Sequence, residues 1–205
     1  HLQTDVRRLR LITCHLGGGA SVAAVDGGVS VETSMGMTPL EGLVMGTRAG
    51  YLDPAIPLLL ARDGMSAEAI DDLLNRKSGL AGLSGIGADF RDIQTAAAGG
   101  DPRARLAIEV FVHRLRKYIG AYAAVLGGAD AIVFTGGIGE HAAAVRRAVC
   151  DGLVFMGVAI DDAVNDVADP KGAGGVVDIS RGRAPTKVLV VHTDEERMIA
   201  REAAR

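Results

Sequence analysis

Apolar residues follow two different spacings along this chain, one typical of β-strands and the other of α-helices. Short apolar runs occupy Leu11–Cys14, Ala20–Val25 and Val29–Thr33, and runs of this length bounded by turn residues predict strands. Gly17-Gly18-Gly19 separates the first two runs and Asp26-Gly27-Gly28 the last two. Because glycine adopts a positive φ without steric cost, the second turn predicts a tight hairpin. We therefore expect three consecutive strands joined by two short turns.

Further along the chain, apolar residues recur every three or four positions, which is the spacing of an amphipathic helix. Asp53-Pro54 and Ser66 are capping signals that predict helices over 55–62 and 66–75. The Gly- and Ser-rich segment 77–85 that follows is predicted to be a loop.

The longest predicted helix begins after Asp101-Pro102, runs from Arg103 to about Leu126, and ends at Gly127-Gly128. Its apolar stripe is expected to face the core. The stripe consists of Phe111, Leu115, Tyr118, Tyr122 and Val125.

The C-terminal part alternates strands and helices. Ala131–Phe134 predicts a buried strand, and a helix is expected from about Glu140 to Leu153. A polar, Gly-rich stretch over 163–175 predicts an exposed loop, Val176–Ser180 an edge strand, and Lys187–Val191 the last strand. A capping box, in which Thr193 is the N-cap and Glu196 the third helical residue, predicts a final helix.

Composition narrows the class of protein. The 205 residues are 48% hydrophobic with a net charge of −3, so they can bury one sizeable core, and they carry no basic footprint for nucleic acid. No apolar run approaches the roughly 20 residues of a membrane-spanning helix. The two cysteines, Cys14 and Cys150, are expected to be buried thiols of a cytoplasmic protein.

Two glycine-rich segments are candidate phosphate sites. The bare N–H groups of Gly17–Gly19 can bind an anion, although a hairpin turn that needs glycine for its own geometry explains them as well. No Gly-Lys-Ser/Thr follows, so the segment is not a Walker A loop. Thr135–Gly139 lies between a strand and a helix, where backbone N–H groups and the helix dipole meet at one point.

The second segment also allows a different interpretation. Gly137-x-Gly139-x-x-Ala142 matches a dinucleotide fingerprint, and Asp161 and Asp162 lie about 20 residues further on. An NAD-binding protein is therefore the main rival hypothesis. The hairpins over 11–33 count against it, since dinucleotide sites are built from repeated βαβ units.

Several motifs together resemble the acetate kinase family, which belongs to the actin/hexokinase/Hsp70-like superfamily. They are HLGGGAS at 15–21, VETSMGMTPLEGLVMGTR at 31–48, DPAI at 53–56, DFRDI at 89–93, FTGGIGE at 134–140 and HTDEE at 192–196. The resemblance covers nearly the whole chain in the family's order. Three residues depart from the usual motifs, since Gly18, His141 and Asp194 each stand where the family usually has Asn.

This resemblance implies an α/β fold of the actin-like ATPase (ribonuclease H-like) kind, a mixed sheet with antiparallel hairpin strands flanked by helices. It implies a C-terminal nucleotide-binding domain over 1–192 and a terminal helix over 193–205 that packs on an N-terminal domain. The chain begins His1-Leu2-Gln3 without Met, and the family's N-terminal half would lie upstream of it. We therefore expect a fragment that is inactive in isolation.

The implied reaction is reversible phosphoryl transfer from ATP to acetate, giving ADP and acetyl phosphate. The resemblance assigns Arg48 to the phosphoryl group as the catalytic residue and Glu195 to Mg²⁺ (or Mn²⁺). It also implies a homodimer, with no nucleic acid or membrane partner. The residues that it assigns to ATP or ADP are His15, Leu16, Gly17, Gly18, Gly19, Asp89, Phe90, Arg91, Gly137, Ile138, Gly139, Glu140 and His141.

Two alternatives remain open. Within the class, propionate or butyrate is a possible acceptor in place of acetate. In another class, the chain is a nucleotide-binding or dimerisation module without catalysis.

Overall fold

The structure is a computed structural model that describes residues 2–194, 200, 201 and 203. Its centre is a six-stranded mixed sheet with the strand order β3-β2-β1-β4-β6-β5. The strands are β1 (Arg10–Leu16), β2 (Ala20–Asp26), β3 (Val29–Thr33), β4 (Ala131–Thr135), β5 (Val176–Asp178) and β6 (Lys187–Val191). The predicted mixed α/β architecture is confirmed.

Pairing within the sheet changes direction at β1. Strands β1, β2 and β3 form the predicted antiparallel meander, whereas β4 and β6 run parallel to β1. The edge strand β5 is antiparallel to β6. As a result, the carboxyl ends of β1, β4 and β6 meet at one edge of the sheet, where ligands commonly bind in open α/β sheets.

The second hairpin turn has the backbone that its glycines predict. Asp26 pairs with Val29 across a two-residue loop, and Gly27 and Gly28 have φ values of +58° and +87°. Positive φ at both loop positions is the requirement of a type I′ hairpin turn.

Eight α-helices surround the sheet in the described part of the chain. They are α1 (Ala55–Arg62), α2 (Ala67–Arg76), α3 (Gly79–Ser84), α4 (Phe90–Ala98), α5 (Pro102–Leu126), α6 (Gly136–His141), α7 (Ala143–Asp151) and α8 (Asp162–Asp166). Two 3₁₀ turns, Val6–Arg8 and Val154–Met156, complete the elements. None of these helices is long and apolar enough to cross a membrane.

Two predicted loops and one predicted helix need correction. The predicted loop over 77–85 contains α3, because Leu80 is drawn into the core despite the surrounding Gly and Ser. The predicted exposed loop over 163–175 begins inside α8, whose Asn165 is fully buried. The predicted helix from Glu140 to Leu153 is two helices, since the backbone leaves the helical region at Ala142 (φ −95°, ψ 74°).

The long helix α5 packs its apolar face against the sheet. Phe111, Leu115 and Tyr122 of the predicted stripe are buried, Tyr118 is partly buried, and Val125 is exposed. Alternate residues of β1 (Ile12, Cys14 and Leu16) are buried as well. Both cysteines are free and buried, as predicted.

Candidate functional site

A cleft of about 520 Å³ opens at the edge of the sheet where β1 and β4 end. Its walls come from three segments that are far apart in sequence and that were each singled out above. The residues that line it are Gly17, Gly18, Gly46, Leu80, Ala88, Asp89, Phe90, Arg91, Gln94, Gly137, Ile138, His141 and Ala142. The fold therefore brings the two glycine-rich segments and the Asp89–Arg91 segment together.

The first wall is the three-residue turn between β1 and β2. The Gly17 N–H donates to the Gly19 carbonyl at 3.0 Å, which closes the turn. A Cβ added to Gly18 would meet no heavy atom within 4 Å, so this residue faces open space. The Gly18 carbonyl is fixed from the other side, where it accepts from the Gly46 N–H at 3.2 Å.

Arg48 lies beside this turn. Its Nη1 would be 3.5 Å from a Cβ on Gly19 and is 3.8 Å from the Met45 sulfur. Among residues 2–194, no carboxylate lies within ion-pair distance of this half-buried guanidinium. The charge of Arg48 is therefore not neutralised by an acidic side chain of the described chain, and it can interact with an anion at the cleft.

The loop that carries Arg48 is held by the start of α3. The carbonyls of Met45 and Gly46 accept from the Leu80 and Ala81 N–H groups, each at 2.9 Å. These donors are unsatisfied amides of the first turn of a helix, so the loop and α3 complete each other's hydrogen bonding. Gly79 has φ +64°, and a Cβ there would clash with the Met45 carbonyl. This docking is the physical reason for the glycine in a segment that the sequence presents as a loop.

The second wall is the N-terminus of α4. Asp89 caps the helix by accepting from the Arg91 N–H at 2.9 Å, and its carboxylate also pairs with the Arg91 guanidinium at 2.6 Å. The Arg91 guanidinium and backbone N–H together lower the pKa of Asp89 to about 2. Phe90 is only 6% exposed, and its ring centroid lies 5.6 Å from that of Phe111. The aromatic ring thus belongs mainly to the core, while Asp89 and Arg91 present their polar groups at the surface.

The third wall is the strand-to-helix turn from β4 into α6. Gly136 has φ +77°, and a Cβ there would lie 2.8 Å from the Leu16 carbonyl of β1. A Cβ on Gly139 would lie 3.3 Å from the Phe134 backbone, whereas one on Gly137 would meet nothing within 4 Å. Gly136 and Gly139 therefore allow the helix to sit close on the strand ends, and Gly137 leaves space in the cleft.

Behind the third wall, the carboxylate of Glu140 joins α6 to the chain after β6. It accepts from the Thr193 N–H at 3.0 Å and lies 2.8 Å from His192 Nδ1. The Thr193 hydroxyl in turn accepts from the Gly136 N–H at 3.0 Å and contacts the Thr135 hydroxyl. Burial raises the pKa of Glu140, but the hydrogen bonds from His192 and Thr193 outweigh it, so the pKa lies below its ordinary value.

Not every predicted site residue lines the cleft. His15, Gly19, Arg48, Gly139 and Glu140 lie next to it, and Leu16 is fully buried in the core. The predicted metal ligand Glu195 and the capping residue Glu196 fall outside the described residues. Within the described part, no group of three His, Cys, Asp or Glu side chains could hold a metal ion.

Four lining residues were missed by the sequence analysis: Gly46, Leu80, Ala88 and Gln94. Ala142 was named there only as the last residue of the rival dinucleotide fingerprint. Gly46 carries a detectable signal, because it belongs to the same MGTR segment as Arg48. Leu80 and Ala88 are apolar residues and Gln94 is an uncharged amide on α4, and these residue types by themselves carry no chemical signal.

The dinucleotide hypothesis finds no support in the surroundings of the two acidic residues. Asp161 caps α8 by accepting from the Ala163 N–H at 3.0 Å, and Asp162 pairs with Arg147 at 2.7 Å. Neither carboxylate lines the cleft. The strands β1, β2 and β3 are also antiparallel, in contrast to the parallel βαβ units of dinucleotide sites.

Comparisons with known proteins match this chain to a single family. Residues 1–201 match the model of the acetokinase family. A curated acetate kinase from Heliobacterium modesticaldum is 53% identical over 96% of this chain and 48% of its own length. One from Anoxybacillus flavithermus is 55% identical over 100% of this chain and 50% of its own length. The chain thus spans about half the length of these curated relatives.

Solved structures show the same similarity in three dimensions. The acetate kinase of Porphyromonas gingivalis superposes with a TM-score of 0.89 at 44% identity, over 96% of this chain and 48% of that one. The acetate kinase of Entamoeba histolytica gives 0.92 at 36% identity, over 98% and 52%. A propionate kinase from Francisella tularensis gives 0.85 at 42% identity, over 94% and 48%.

Proposed function

Since this chain belongs to the acetokinase family, we propose that its cleft is the nucleotide site of an acetate kinase, which transfers a phosphoryl group between ATP and acetate. The observation that carries the proposal is the convergence of Gly17–Gly18, Asp89–Arg91 and Gly137–His141 on one cleft. Gly17 and Gly137 are 120 positions apart along the chain, and the family resemblance assigns all three segments to the nucleotide.

Phosphoryl transfer needs positioning and positive charge more than covalent work by the protein. In the forward direction a carboxylate oxygen of acetate attacks the γ-phosphorus of ATP, and the bond from that phosphorus to the ADP oxygen breaks. The Gly17 and Gly136 N–H groups are used within the fold, so the backbone N–H groups suited to the nucleotide phosphates are those of Gly18 and Gly19 in the turn and of Gly137 and Ile138 at the start of α6. Arg48, whose guanidinium pairs with no carboxylate among residues 2–194, lies beside them and would stabilise the charge on the transferred group.

The polar side chains at the N-terminus of α4, Asp89 and Arg91, are assigned to the nucleoside. Asp89 and Arg91 lie at the mouth of the cleft and hold each other in a bidentate pair. Their donors and acceptors are available to a ribose or base, and Phe90 lines the same wall. The remaining two residues assigned to the nucleotide are His141, which lines the cleft wall, and Glu140, which joins α6 to the segment after β6.

Mg²⁺ (or Mn²⁺) is proposed from the resemblance to the family alone. The one residue predicted to hold it, Glu195, is outside the described residues, and the described part offers no cluster of metal ligands. The metal supplies charge neutralisation of the phosphates when it is bound.

The acyl acceptor has one specific competitor. The Francisella tularensis structure with a TM-score of 0.85 is a propionate kinase, so a propionate kinase is the second candidate function.

A homodimer is also proposed. It is supported by α1, which has no buried residue and exposes Ile56, Leu58 and Leu59. Sedimentation equilibrium tests it, and a single species with the mass of one chain would contradict it.

Calorimetric titration of the chain with ADP and Mg²⁺, and separately with NAD, tests the nucleotide site. Gly137→Val should weaken ADP binding because it fills open cleft space. Gly120→Val is the matched control, since Gly120 also has no atom near its missing Cβ but does not line the cleft. Binding of NAD without ADP would overturn the proposal. Binding of neither would show that this chain alone does not form the nucleotide site.

A further inference from the structure

A fully buried arginine lies behind the third wall of the cleft. Arg146 of α7 is 1% exposed and is the largest fully buried side chain in the described structure. No carboxylate of the described residues lies within ion-pair distance of it, and burial lowers its pKa to about 10. Burying a charge without a counter-charge is costly, so the contacts that compensate for it indicate what the residue does.

Those contacts lie at the break between α6 and α7. In a continuous helix the carbonyls of Gly139 and Glu140 would accept from the amides four residues further on. The backbone leaves the helical region at Ala142, which interrupts this pattern. Nη1 of Arg146 donates to both carbonyls instead, each at 2.8 Å. One guanidinium therefore replaces two helical hydrogen bonds and places a positive charge at the C-terminus of α6, where the helix dipole favours it.

A buried asparagine fixes this guanidinium from the opposite side. The Asn165 side-chain oxygen accepts from Arg146 Nε at 2.7 Å, and the Asn165 carbonyl accepts from Nη2 at 2.7 Å. The Asn165 amide also donates to the Ala143 carbonyl at 3.0 Å. The planar fork of arginine is thus held on two edges, a geometry that a lysine ammonium does not reproduce.

The break that Arg146 stabilises also shapes the cleft. His141 and Ala142 lie on either side of the end of α6, and both line the cleft wall. At the other end of the same six-residue helix are Gly137 and Ile138, which line it too. The orientation of α6 therefore sets the position of the wall, and Arg146 holds its C-terminal end.

We propose that Arg146, held by Asn165, is a positioning residue that fixes segment 136–142 against the bound nucleotide. Arg146 lies behind the wall and acts through the carbonyls of α6. The nucleotide-binding part of this inference rests on the proposed function. The positioning part does not, because it concerns the conformation of α6 in the chain without ligand.

Arg146→Lys is the test variant, and Arg116→Lys is the matched control. Arg116 also donates through its guanidinium to helix-end carbonyls, those of Ala148 and Val149 in α7, but it does not line the cleft or contact α6. Hydrogen exchange of the amides in 137–142 is measured without ligand, and the dissociation constant for ADP is measured by calorimetry. A merely structural role would lower thermal stability in both variants without a selective change in either measurement.

Arg146→Lys should accelerate exchange in 137–142 and weaken ADP binding by about tenfold or more, because small displacements of binding groups are costly. Arg116→Lys should leave both unchanged. Asn165→Ala, which keeps the arginine and removes its support, should act in the same direction as Arg146→Lys and serves if that variant does not fold. Unchanged exchange in 137–142, or equal changes in the Arg116 control, would overturn the inference. If the unsubstituted chain does not bind ADP, the proposed function fails for this chain, and the exchange data still decide the positioning role.

Discussion

Glu140 and His192 meet across the open edge of the sheet, with Oε2 of the carboxylate 2.8 Å from Nδ1 of the ring. The two residues are 52 positions apart in the chain, and Glu140 is only 6% exposed. This contact, with the Thr193 N–H on the other carboxylate oxygen, joins the helix of the third wall to the segment that leads towards Glu195. A substitution at Glu140 therefore tests how the turn from β4 into α6 is held.

Glu140→Gln should remove a pH-dependent part of the stability. The pKa of Glu140 in the folded chain lies below its ordinary value of 4.5, so ionised Glu140 stabilises the fold above that value. This stabilisation is lost as the pH falls through the lowered pKa of the folded state. At pH 7 the variant should be less stable by about 1.5–3 kcal/mol, the range for a hydrogen bond to a charged group. Urea unfolding of both proteins from pH 3 to 7 measures the difference.

The control for that series is Glu109→Gln, which changes an exposed carboxylate on α5. It should leave the pH profile of the unfolding free energy close to that of the unsubstituted chain. A constant difference between Glu140→Gln and the unsubstituted chain at all pH values would contradict the proposed network, because a neutral contact would then account for the effect.

Two neighbouring glycines should differ in their response to the same substitution. Gly136→Ala should destabilise the fold by roughly 1–3 kcal/mol, since a Cβ would lie 2.8 Å from the Leu16 carbonyl and φ is +77°. Gly137→Ala should leave stability nearly unchanged, since its Cβ would meet no atom within 4 Å. Thermal and urea unfolding of the two variants measure this. Equal stability of the two would show that α6 does not approach β1 as closely as the structure has it.

The two cysteines should be unreactive in the folded chain. Cys14 is fully buried and Cys150 nearly so, and burial raises the pKa of both thiols, that of Cys150 to about 12. Because the thiolate is the reactive form, a disulfide reagent at pH 8 should label neither thiol until the chain unfolds in urea. Both should then react. Rapid labelling of either thiol in buffer would mean that the core around β1 and α7 opens locally.

Local patterns were sufficient for most of the fold. Each predicted strand is present, with ends that differ by at most two residues, and α5 begins one residue before its predicted start and ends at the predicted residue. The reason is that strand-length apolar runs, glycine turns and capping residues all act within a few positions of the chain. The convergence of the cleft segments came from the family resemblance, because no local pattern relates Gly18 to Asp89 or Gly137.

Local sequence patterns did not predict the break between α6 and α7 at Ala142, for a different reason. Alanine is a strong helix former, and the flanking residues have amphipathic spacing, so the sequence predicts a continuous helix. The break is compensated by Arg146 and Asn165, which meet only in the folded chain. An arginine in an amphipathic pattern ordinarily predicts a solvated side chain, and nothing local distinguishes this one.

Arg48 provides the last prediction, which concerns catalysis by the chain alone. Arg48 lies beside the cleft, and among residues 2–194 no carboxylate pairs with its guanidinium. The chain spans about half the length of the relatives it matches. We therefore expect no acetyl phosphate when the purified chain is incubated with ATP, Mg²⁺ and acetate and the product is trapped as the hydroxamate. Product that disappears in Arg48→Ala would contradict this expectation and identify Arg48 as catalytic in the chain itself. Product that persists unchanged in Arg48→Ala would instead come from a contaminating kinase, because removal of the guanidinium beside the glycine turn takes away the charge that phosphoryl transfer requires.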